Sequence, residues 1–442
     1  MRKPSVDIRL FARRRQELAR LIPGSALIVA SHPEHIRNHD VGFPYRQDSN
    51  LFYLTAFEEP ESILIFRPGK TPETVMFVRR RDRERETWDG FRYGPEGVEK
   101  EFGIERCYPI EEFEKVAPSL LAGVDGLYYR LHKNPEADAR VMTVVDKYRA
   151  EGGRTGRGLL PIHDADELLG EMRLIKSEEE LVDLREACEI TAQAHLAAMK
   201  FTRPGVTERQ VQGVLAYNFY SKGAAREGYN FIVASGNSAT TLHYNFNDQV
   251  CQAGDLLLID AGAELNYYTG DITRTFPVSG RFTDEQGLVY EKVLKVQKQI
   301  IDFVKPGVVF KELHEMGASL LTDAMLELGL LSGRKEDIMS ANQHRRFYPH
   351  GIGHWLGLDV HDAGLYVKNK EPRPLEPNMC FTIEPGLYIP ADDETVPKKF
   401  RGIGIRIEDN VRVTPSGCEN MTSSVPKEIS DLEKVIGTGW VP

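Results

Sequence analysis

The segment Asp255-Leu-Leu-Leu-Ile-Asp260-Ala-Gly-Ala-Glu-Leu-Asn-Tyr-Tyr-Thr-Gly-Asp271-Ile-Thr-Arg-Thr-Phe276 decides the fold of the second half of the chain. Two apolar runs of strand length flank a short polar stretch, which is typical of a buried β-hairpin. A turn centred on Leu265 and Asn266 would place Asp260 directly opposite Asp271. Two facing carboxylates destabilise a sheet unless a cation lies between them. The segment therefore predicts a hairpin that presents two acids to a divalent cation, with a pair of solvated acids as the alternative.

A second segment, His350-Gly-Ile-Gly-His354-Trp-Leu-Gly-Leu-Asp-Val-His361, holds three histidines in apolar, glycine-rich surroundings. Its glycines argue against a helix, so the spacing of His350 and His354 does not indicate the helical face of a zinc protease. In an extended chain these two side chains lie on one side. A single histidine is more often a satisfied core residue, but three in one segment favour a site.

A third segment, Cys380-Phe-Thr-Ile-Glu384-Pro-Gly-Leu-Tyr388, places one acid inside an apolar run. An unpaired buried carboxylate is costly, so Glu384 needs a cation, a proton or several hydrogen-bond donors.

A fourth segment, residues 402–408, reads Gly-Ile-Gly-Ile-Arg-Ile-Glu and alternates with period two. The alternation puts Arg406 and Glu408 on one strand face together with Gly402 and Gly404. The two glycines predict room for a bulky group on that face. An ion pair between Arg406 and Glu408 is the alternative to a site.

Four acids and one histidine from these segments suit a pair of divalent metal ions that share carboxylates. Oxygen-rich ligation with a single imidazole favours Mn²⁺ or a similar ion over copper or a thiolate zinc site. Two such ions can share a water, lower its pKa and stabilise a hydrolytic displacement. The residues therefore predict metal-assisted hydrolysis.

Composition narrows the classes of partner. The chain has 442 residues with 56 basic and 66 acidic side chains, a net charge of −10, which argues against nucleic acid as a partner. No stretch of the sequence approaches the roughly 18 apolar residues of a membrane span. The five cysteines form no CxxC pair, which is typical of reduced thiols. We expect a cytoplasmic protein with neither a nucleic-acid nor a membrane partner.

Local patterns divide the chain into two parts. Short apolar runs at 25–30, 62–66 and 75–78 predict strands in the first part. A long helix is predicted from Ser177, where Glu180 three residues later completes a capping box, and a second helical interval at 284–331. We place the boundary between residues 160 and 176.

The four segments resemble the motifs of the pita-bread metallopeptidases, and within them those of the aminopeptidase P group. The stretch Phe43-Pro-Tyr-Arg-Gln-Asp-Ser-Asn-Leu-Phe-Tyr-Leu-Thr55 is similar to the first domain of that group. The resemblance implies an α/β N-terminal domain, residues 1–172. It implies that an α+β pita-bread catalytic domain with a pseudo-twofold arrangement follows, residues 173–442.

The same resemblance implies five metal ligands, Asp260, Asp271, His354, Glu384 and Glu408. Asp271 and Glu408 would bridge two divalent ions, most simply Mn²⁺. Asp260 would complete the coordination of one ion, and His354 with Glu384 that of the other.

A further group of residues is implied to handle the substrate: His243, His350, His361, Arg406 and Tyr388. The histidines would position the substrate and stabilise the developing oxyanion, and Arg406 would orient the carboxylates. Tyr388 would line the pocket. Glu384 would also carry a proton to the leaving proline nitrogen.

The implied activity is that of a metal-dependent aminopeptidase, which releases the N-terminal residue from peptides with proline in the second position through a metal-bridging hydroxide. A homo-oligomer, dimer or tetramer, is also implied, with Trp88 and Asp40 as candidates to help close a neighbour's site. Two alternatives stay open. One is a prolidase confined to Xaa-Pro dipeptides, and the other is a non-catalytic pita-bread binding protein.

Overall fold

The apolar runs predicted as strands in the first third of the chain lie in one sheet. In the computed structural model, which describes residues 6–155 and 160–440, the chain divides after Leu169 into two units. The sheet of the first unit has six strands in the spatial order Arg106–Pro109, Thr74–Val78, Ile63–Phe66, Ala26–Ala30, Leu127–Tyr128 and Ile162–His163. The three predicted strands are its centre, and all three are buried.

Helices accompany this sheet and pack on its apolar side chains. Phe113, Val141 and Val144 come from helices and are fully buried against strand residues such as Ile65 and Phe77. The helices of the first unit are Ile8–Leu21, Ser49–Thr55, Arg83–Asp89, Gly94–Phe102, Phe113–Leu120 and Pro135–Thr155, and helix Ala165–Leu174 begins in the first unit and ends in the second.

In the second unit the same order of elements occurs twice, two long helices and then strands. The first helix begins at the predicted capping box, where Ser177 Oγ accepts from the Glu180 amide at 3.3 Å and Glu180 Oε2 accepts from the Ser177 amide at 2.8 Å. Pro306-Gly307 divides the predicted interval 284–331 into two helices. The four long helices are Glu178–Phe201, Glu208–Ser221, Asp284–Phe303 and Phe310–Glu327, and Lys335–Ser340 and Ile429–Val435 are shorter.

Among the described residues, none of the helices has both the length and the apolar character that crossing a bilayer requires. The long helices instead bury one side each against the strands of the second unit.

The two aspartate strands, Leu256–Ala261 and Ile272–Pro277, form the predicted antiparallel hairpin, but its register differs from the expected one. Asp260 pairs with Thr273 rather than with Asp271. The turn consists of Asn266 and Tyr267, which both have positive φ, and it lies one residue later than predicted. This shifts the pairing by two residues, which leaves both aspartates on the same face because side chains alternate with period two.

The two glutamates lie at matching breaks in a second pair of strands. Strand Cys380–Ile383 pairs with Asp409–Val413, and strand Gly386–Ile389 pairs with Ile403–Arg406. The register is the same in both pairs, so Glu384 and Glu408 occupy facing positions between them. The remaining strands of the unit are Arg226–Glu227, Ile232–Ser235, Ala263–Leu265, Tyr268–Thr269, Val367–Lys368, Glu371–Pro372 and Cys418–Asn420.

Candidate active site

A cavity of about 540 Å³ opens among these strands in the second unit. Its walls contain nine of the residues singled out from the sequence: His243, Asp260, Asp271, His350, His354, His361, Glu384, Arg406 and Glu408. The hairpin contributes the aspartates, the broken ladder contributes the glutamates, and the non-helical segment 350–361 contributes three histidines. Residues up to 165 positions apart in the chain therefore converge on one volume.

Asp271, His354 and Glu408 lie close enough to hold one cation. One ligand atom from each of the three lies within 4.8 Å of the others. His354 Nε2 is 3.4 Å from Asp271 Oδ2 and 3.6 Å from Glu384 Oε1. The other ring nitrogen, Nδ1, lies 3.1 Å from the Trp355 carbonyl oxygen, an arrangement that leaves Nε2 to face the carboxylates.

The acids of the cavity carry more negative charge than the surrounding protein compensates. Burial, and then the neighbouring carboxylates, raise the pKa of Glu408 well above its usual range. Burial also raises the pKa of Asp271, and it raises that of Glu384 to about 7. Burial lowers the pKa of His354, but its hydrogen bond to Asp271 and the charge of Glu384 outweigh this and raise it to about 9. A cluster that holds protons so strongly is suited to divalent cations.

Arg406 does not form the ion pair with Glu408 that was the alternative reading of its segment. Its Nη2 donates to Asp260 Oδ2 at 2.6 Å, and its Nη1 donates to the Tyr388 hydroxyl at 3.0 Å. Glu408 Oε2 instead accepts from the Thr273 hydroxyl at 2.7 Å. The guanidinium therefore fixes one aspartate at the edge of the cluster, and the hydrogen bond to Glu408 comes from a neutral hydroxyl instead.

The glycines of the same strand serve packing rather than a bulky ligand. A Cβ on Gly404 would lie 2.2 Å from the backbone oxygen of Ala239, so Gly404 allows the short helix Gly236–Thr240 to approach the strand. Gly402 has a φ of +81° and belongs to the turn that precedes the strand. The prediction of ligand space on this face was wrong because the space is filled by the protein's own backbone.

The three predicted substrate histidines differ in how free they are. His350 has both ring nitrogens engaged, with Nδ1 at 2.7 Å from the Gly351 oxygen and Nε2 at 2.8 Å from the Tyr388 hydroxyl. Within the described parts of the chain, His361 and His243 make no hydrogen bond, and both are exposed to the cavity. The His361 ring lies edge-on to His354, with ring centroids 4.2 Å apart.

Two tyrosines lie in positions that differ from what the sequence predicted. Tyr388 is not part of the cavity wall; it lies behind it and holds His350 and Arg406. Tyr229, which no sequence pattern indicated, lines the cavity, and its hydroxyl lies 2.6 Å from Asp260 Oδ1 and 2.5 Å from Asp271 Oδ1. A lone tyrosine between Gly228 and Asn230 carries no periodic or spacing signal that could have marked it.

Known proteins share both parts of the chain. Residues 182–415 match the family described as Metallopeptidase family M24, and residues 11–128 match the aminopeptidase P N-terminal domain. A Xaa-Pro aminopeptidase of Haemophilus influenzae is 40% identical over 425 residues, which cover 96% of each chain. These matches support neither of the two alternatives left open by the sequence.

Comparison with solved structures gives the same family as the sequence matches. An aminopeptidase from Pseudomonas aeruginosa superposes with a TM-score of 0.94 at 42% identity and covers 98% of each chain. A zinc-substituted Escherichia coli aminopeptidase P in complex with product superposes with a TM-score of 0.92 at 40% identity, over 97% of this chain and 98% of that one. The predicted fold class, an α/β N-terminal domain followed by an α+β pita-bread domain, is confirmed.

Proposed function

Because the chain belongs to metallopeptidase family M24 and is a metal-dependent aminopeptidase, we propose that it releases the N-terminal residue from peptides with proline in the second position. The observation that carries this proposal is the cluster of four carboxylates around one imidazole in a single cavity, with too few cations of its own.

Two divalent ions fit the donor set of this cluster. We assign Asp271 and Glu408 as the ligands shared by both ions, Asp260 as a ligand of one, and His354 with Glu384 as ligands of the other. Four carboxylates and one imidazole favour Mn²⁺. When bound, the ions would lower the pKa of a shared water and polarise the scissile carbonyl.

Glu384 is the residue proposed to move the proton. In the metal-free cluster burial raises its pKa to about 7, and a carboxyl group in contact with the cavity is suited to general acid–base catalysis. It would accept a proton from the attacking water and deliver it to the proline nitrogen as the peptide bond breaks. Its place between two strands, opposite Glu408, keeps the side chain at the floor of the cavity.

His361 and His243 are proposed to contact the substrate. Their freedom from hydrogen bonds within the described chain leaves both rings available to donate to a carbonyl oxygen as negative charge develops on it. His350, which Tyr388 and Gly351 hold in place, would position the substrate from the wall. Arg406 would keep the Asp260 carboxylate in the orientation that the metal requires.

A peptidase assay after reconstitution with Mn²⁺ tests the proposal. We expect cleavage of a Xaa-Pro-Xaa tripeptide, little cleavage of the matched peptide with alanine in place of proline, and no cleavage after metal removal. Strict preference for the Xaa-Pro dipeptide would show a prolidase instead. Binding of a partner protein without any peptidase activity after Mn²⁺ addition would show a binding protein.

Further proposals concern the setting of the enzyme. Its five cysteines are free thiols, which supports a reducing compartment and hence the cytoplasm, with no nucleic-acid or membrane partner.

Trp88 is 82% exposed in the first unit, and Asp40 is also exposed, as residues that complete a homodimer or homotetramer would be. We keep residues 1–172 and 173–442 as the functional division. Light scattering on wild type and Trp88→Ala would test the oligomer.

A further inference from the structure

A second cavity of about 580 Å³ adjoins the catalytic one within the second unit. The two cavities share His350, Gly351 and Gly353 in their walls. The rest of the second cavity is formed by the first turns of helix Phe310–Glu327, by residues between 342 and 349, and by Ile352, Tyr366, Val367 and Pro372. None of the residues assigned as metal ligands lines it.

The charge of this cavity is opposite to that of the catalytic cavity. Its wall contains Lys311 and Arg345, and among its described lining residues there is no aspartate or glutamate. Lys311 reaches an acid only on the outer surface, at 3.4 Å from Glu315. The exposed side chain of Arg345 makes no ion pair in the described part of the chain, and its one hydrogen bond goes to the Pro349 carbonyl oxygen at 3.2 Å. A guanidinium without a counter-ion, in a wall whose described residues include no acid, indicates a place for an anion.

Three residues that line the second cavity, Tyr348, His314 and His344, each hold a buried polar atom without a hydrogen-bond partner. Tyr348 is 1% exposed, and its hydroxyl has no hydrogen-bond partner. The Nδ1 atoms of His314 and His344 are likewise buried without a partner. A buried polar atom without a hydrogen-bond partner destabilises the folded protein, so three of them around one cavity are unusual unless a ligand satisfies them.

We propose that this cavity is a subsite for a carboxylate, with Arg345 and the Tyr348 hydroxyl as its principal donors. A guanidinium fork matches the two oxygens of a carboxylate, and a tyrosine hydroxyl can donate a third hydrogen bond. If the proposed function holds, the natural source is the C-terminal carboxylate of the peptide substrate. The four acids of the catalytic cavity repel that group, and the adjoining basic cavity attracts it.

The test compares a Xaa-Pro-Xaa tripeptide with its C-terminal amide, using Mn²⁺-loaded wild type, Arg345→Gln and Tyr348→Phe. We expect wild type to have a lower KM for the free acid. Arg345→Gln should raise that KM by about tenfold, in line with the loss of a charged hydrogen bond, and Tyr348→Phe by about threefold. The KM for the amide and both kcat values should stay the same.

Arg346→Gln is the matched control. Arg346 is the next residue of the same turn, but its Nη2 donates to Asp393 Oδ2 at 2.6 Å and it does not line the cavity. We expect it to keep the wild-type difference between acid and amide. Equal changes in all three variants would mean that the turn, not the carboxylate contact, matters, and the proposal would be overturned.

A second measurement separates a free carboxylate from the peptide's own and does not depend on peptidase activity. The melting temperature of metal-free protein is compared in acetate and in chloride at equal ionic strength. If acetate raises the melting temperature of wild type but not that of Arg345→Gln, the subsite is supported even when the enzyme cleaves no peptide. Absence of cleavage would reject the proposed function but not the subsite. If the kinetics nevertheless do not distinguish acid from amide, the subsite takes a free carboxylate. The proposal is overturned when neither acetate nor the free acid distinguishes wild type from Arg345→Gln.

Discussion

Glu408 and Asp409 are neighbours in the chain, both are buried, and they lie in opposite electrostatic surroundings. Glu408 faces the catalytic cavity, where burial and the acids around it raise its pKa. Asp409 points the other way and accepts from Arg274 Nη2 at 2.6 Å, with Lys427 Nζ also at hydrogen-bond distance. Despite its burial, these two cations lower its pKa below the usual range. A buried acid that the protein compensates is structural, whereas one that it leaves uncompensated awaits a ligand.

The compensated cluster also holds the uncompensated one in place. Arg274 is completely buried, and its Nη1 donates to the backbone oxygens of Thr273 and Glu408 at 3.0 and 2.5 Å. It thereby joins the aspartate hairpin to the segment that carries Glu408. Arg274 follows the hairpin acid Asp271 by three residues in the motif Asp-Ile-Thr-Arg, so one short motif supplies both a proposed metal ligand and its support.

The largest effect is expected from Glu408→Ala, on the uncompensated side. Loss of a carboxylate shared by both ions should empty the site and lower kcat/KM by more than about 10³-fold, beyond the 10–100-fold typical of residues that only support ligands. Elemental analysis measures the metal content, and the tripeptide assay measures kcat/KM. Glu336→Ala, at an exposed acid on the surface, is the control. Full metal occupancy in Glu408→Ala would reject the bridging assignment.

Asp409→Asn examines the compensated side. It leaves the buried Arg274 without its counter-charge, so the free energy of unfolding should fall by about 3–5 kcal/mol. Urea unfolding measures the change, and the folded fraction should still bind its metal. Asp393→Asn, which removes the acid of a surface ion pair with Arg346, should lower the free energy of unfolding far less. Equal losses in the two variants would contradict the distinction between the two acids.

His361→Ala removes a donor without touching either cluster of acids. We expect kcat to fall by about 10²–10³-fold, as loss of an oxyanion donor usually does, while metal content stays constant. Unchanged rates at constant metal content would show that His361 has no such role.

In metal-free protein, the groups of the catalytic cavity and the compensated Asp409 should make the free energy of unfolding depend on pH in opposite directions. The raised pKa of Glu384, about 7, means that stability is present below its ordinary pKa of 4.5 and is lost as pH rises toward 7. His354, with its pKa raised to about 9, acts in the same direction between 6.5 and 9. Asp409, with its lowered pKa, contributes stability above 3.8 that is lost as pH falls further. Urea unfolding from pH 3 to 9 should therefore show a maximum near pH 4–5.

Mn²⁺ and Glu384→Gln are the checks on that profile. Both should flatten the decline in the free energy of unfolding between pH 5 and 7, which is about 2 kcal/mol for a carboxyl group with a pKa raised this far. Bound Mn²⁺ would compensate the buried carboxylate, and glutamine has no carboxyl group to ionise. A decline that persists unchanged in Glu384→Gln would assign it to another residue.

The smallest effect is expected from Tyr229→Phe. Its hydroxyl lies between Asp260 and Asp271 and orients both, so metal affinity should fall by about tenfold while the protein stays folded. Competition with a metal chelator measures the affinity. Tyr220→Phe, which removes a hydroxyl bonded to Glu227 on the surface at 2.9 Å, should leave it unchanged.

The sequence by itself predicted which acids and histidines meet, and the strands that lie beside the acids. Period-two alternation, the capping box at Ser177 and apolar runs interrupted by single acids are local signals, and each depends on residues within a few positions. Those signals correctly predicted a hairpin with both aspartates on one face. They did not set its register, because the turn depends on the backbone conformation of Asn266 and Tyr267.

Only the tertiary structure decided which partner each charged group takes. Arg406 lies two positions from Glu408, yet it pairs with Asp260, 146 positions away. Asp409 is compensated by Arg274, 135 positions away, and the second cavity, which Arg345 lines, is formed by separate segments of the chain. The physical reason is that the charge state of a buried group depends on its neighbours in space. Local periodicity shows that a group is buried, and packing alone determines whether a cation lies beside it.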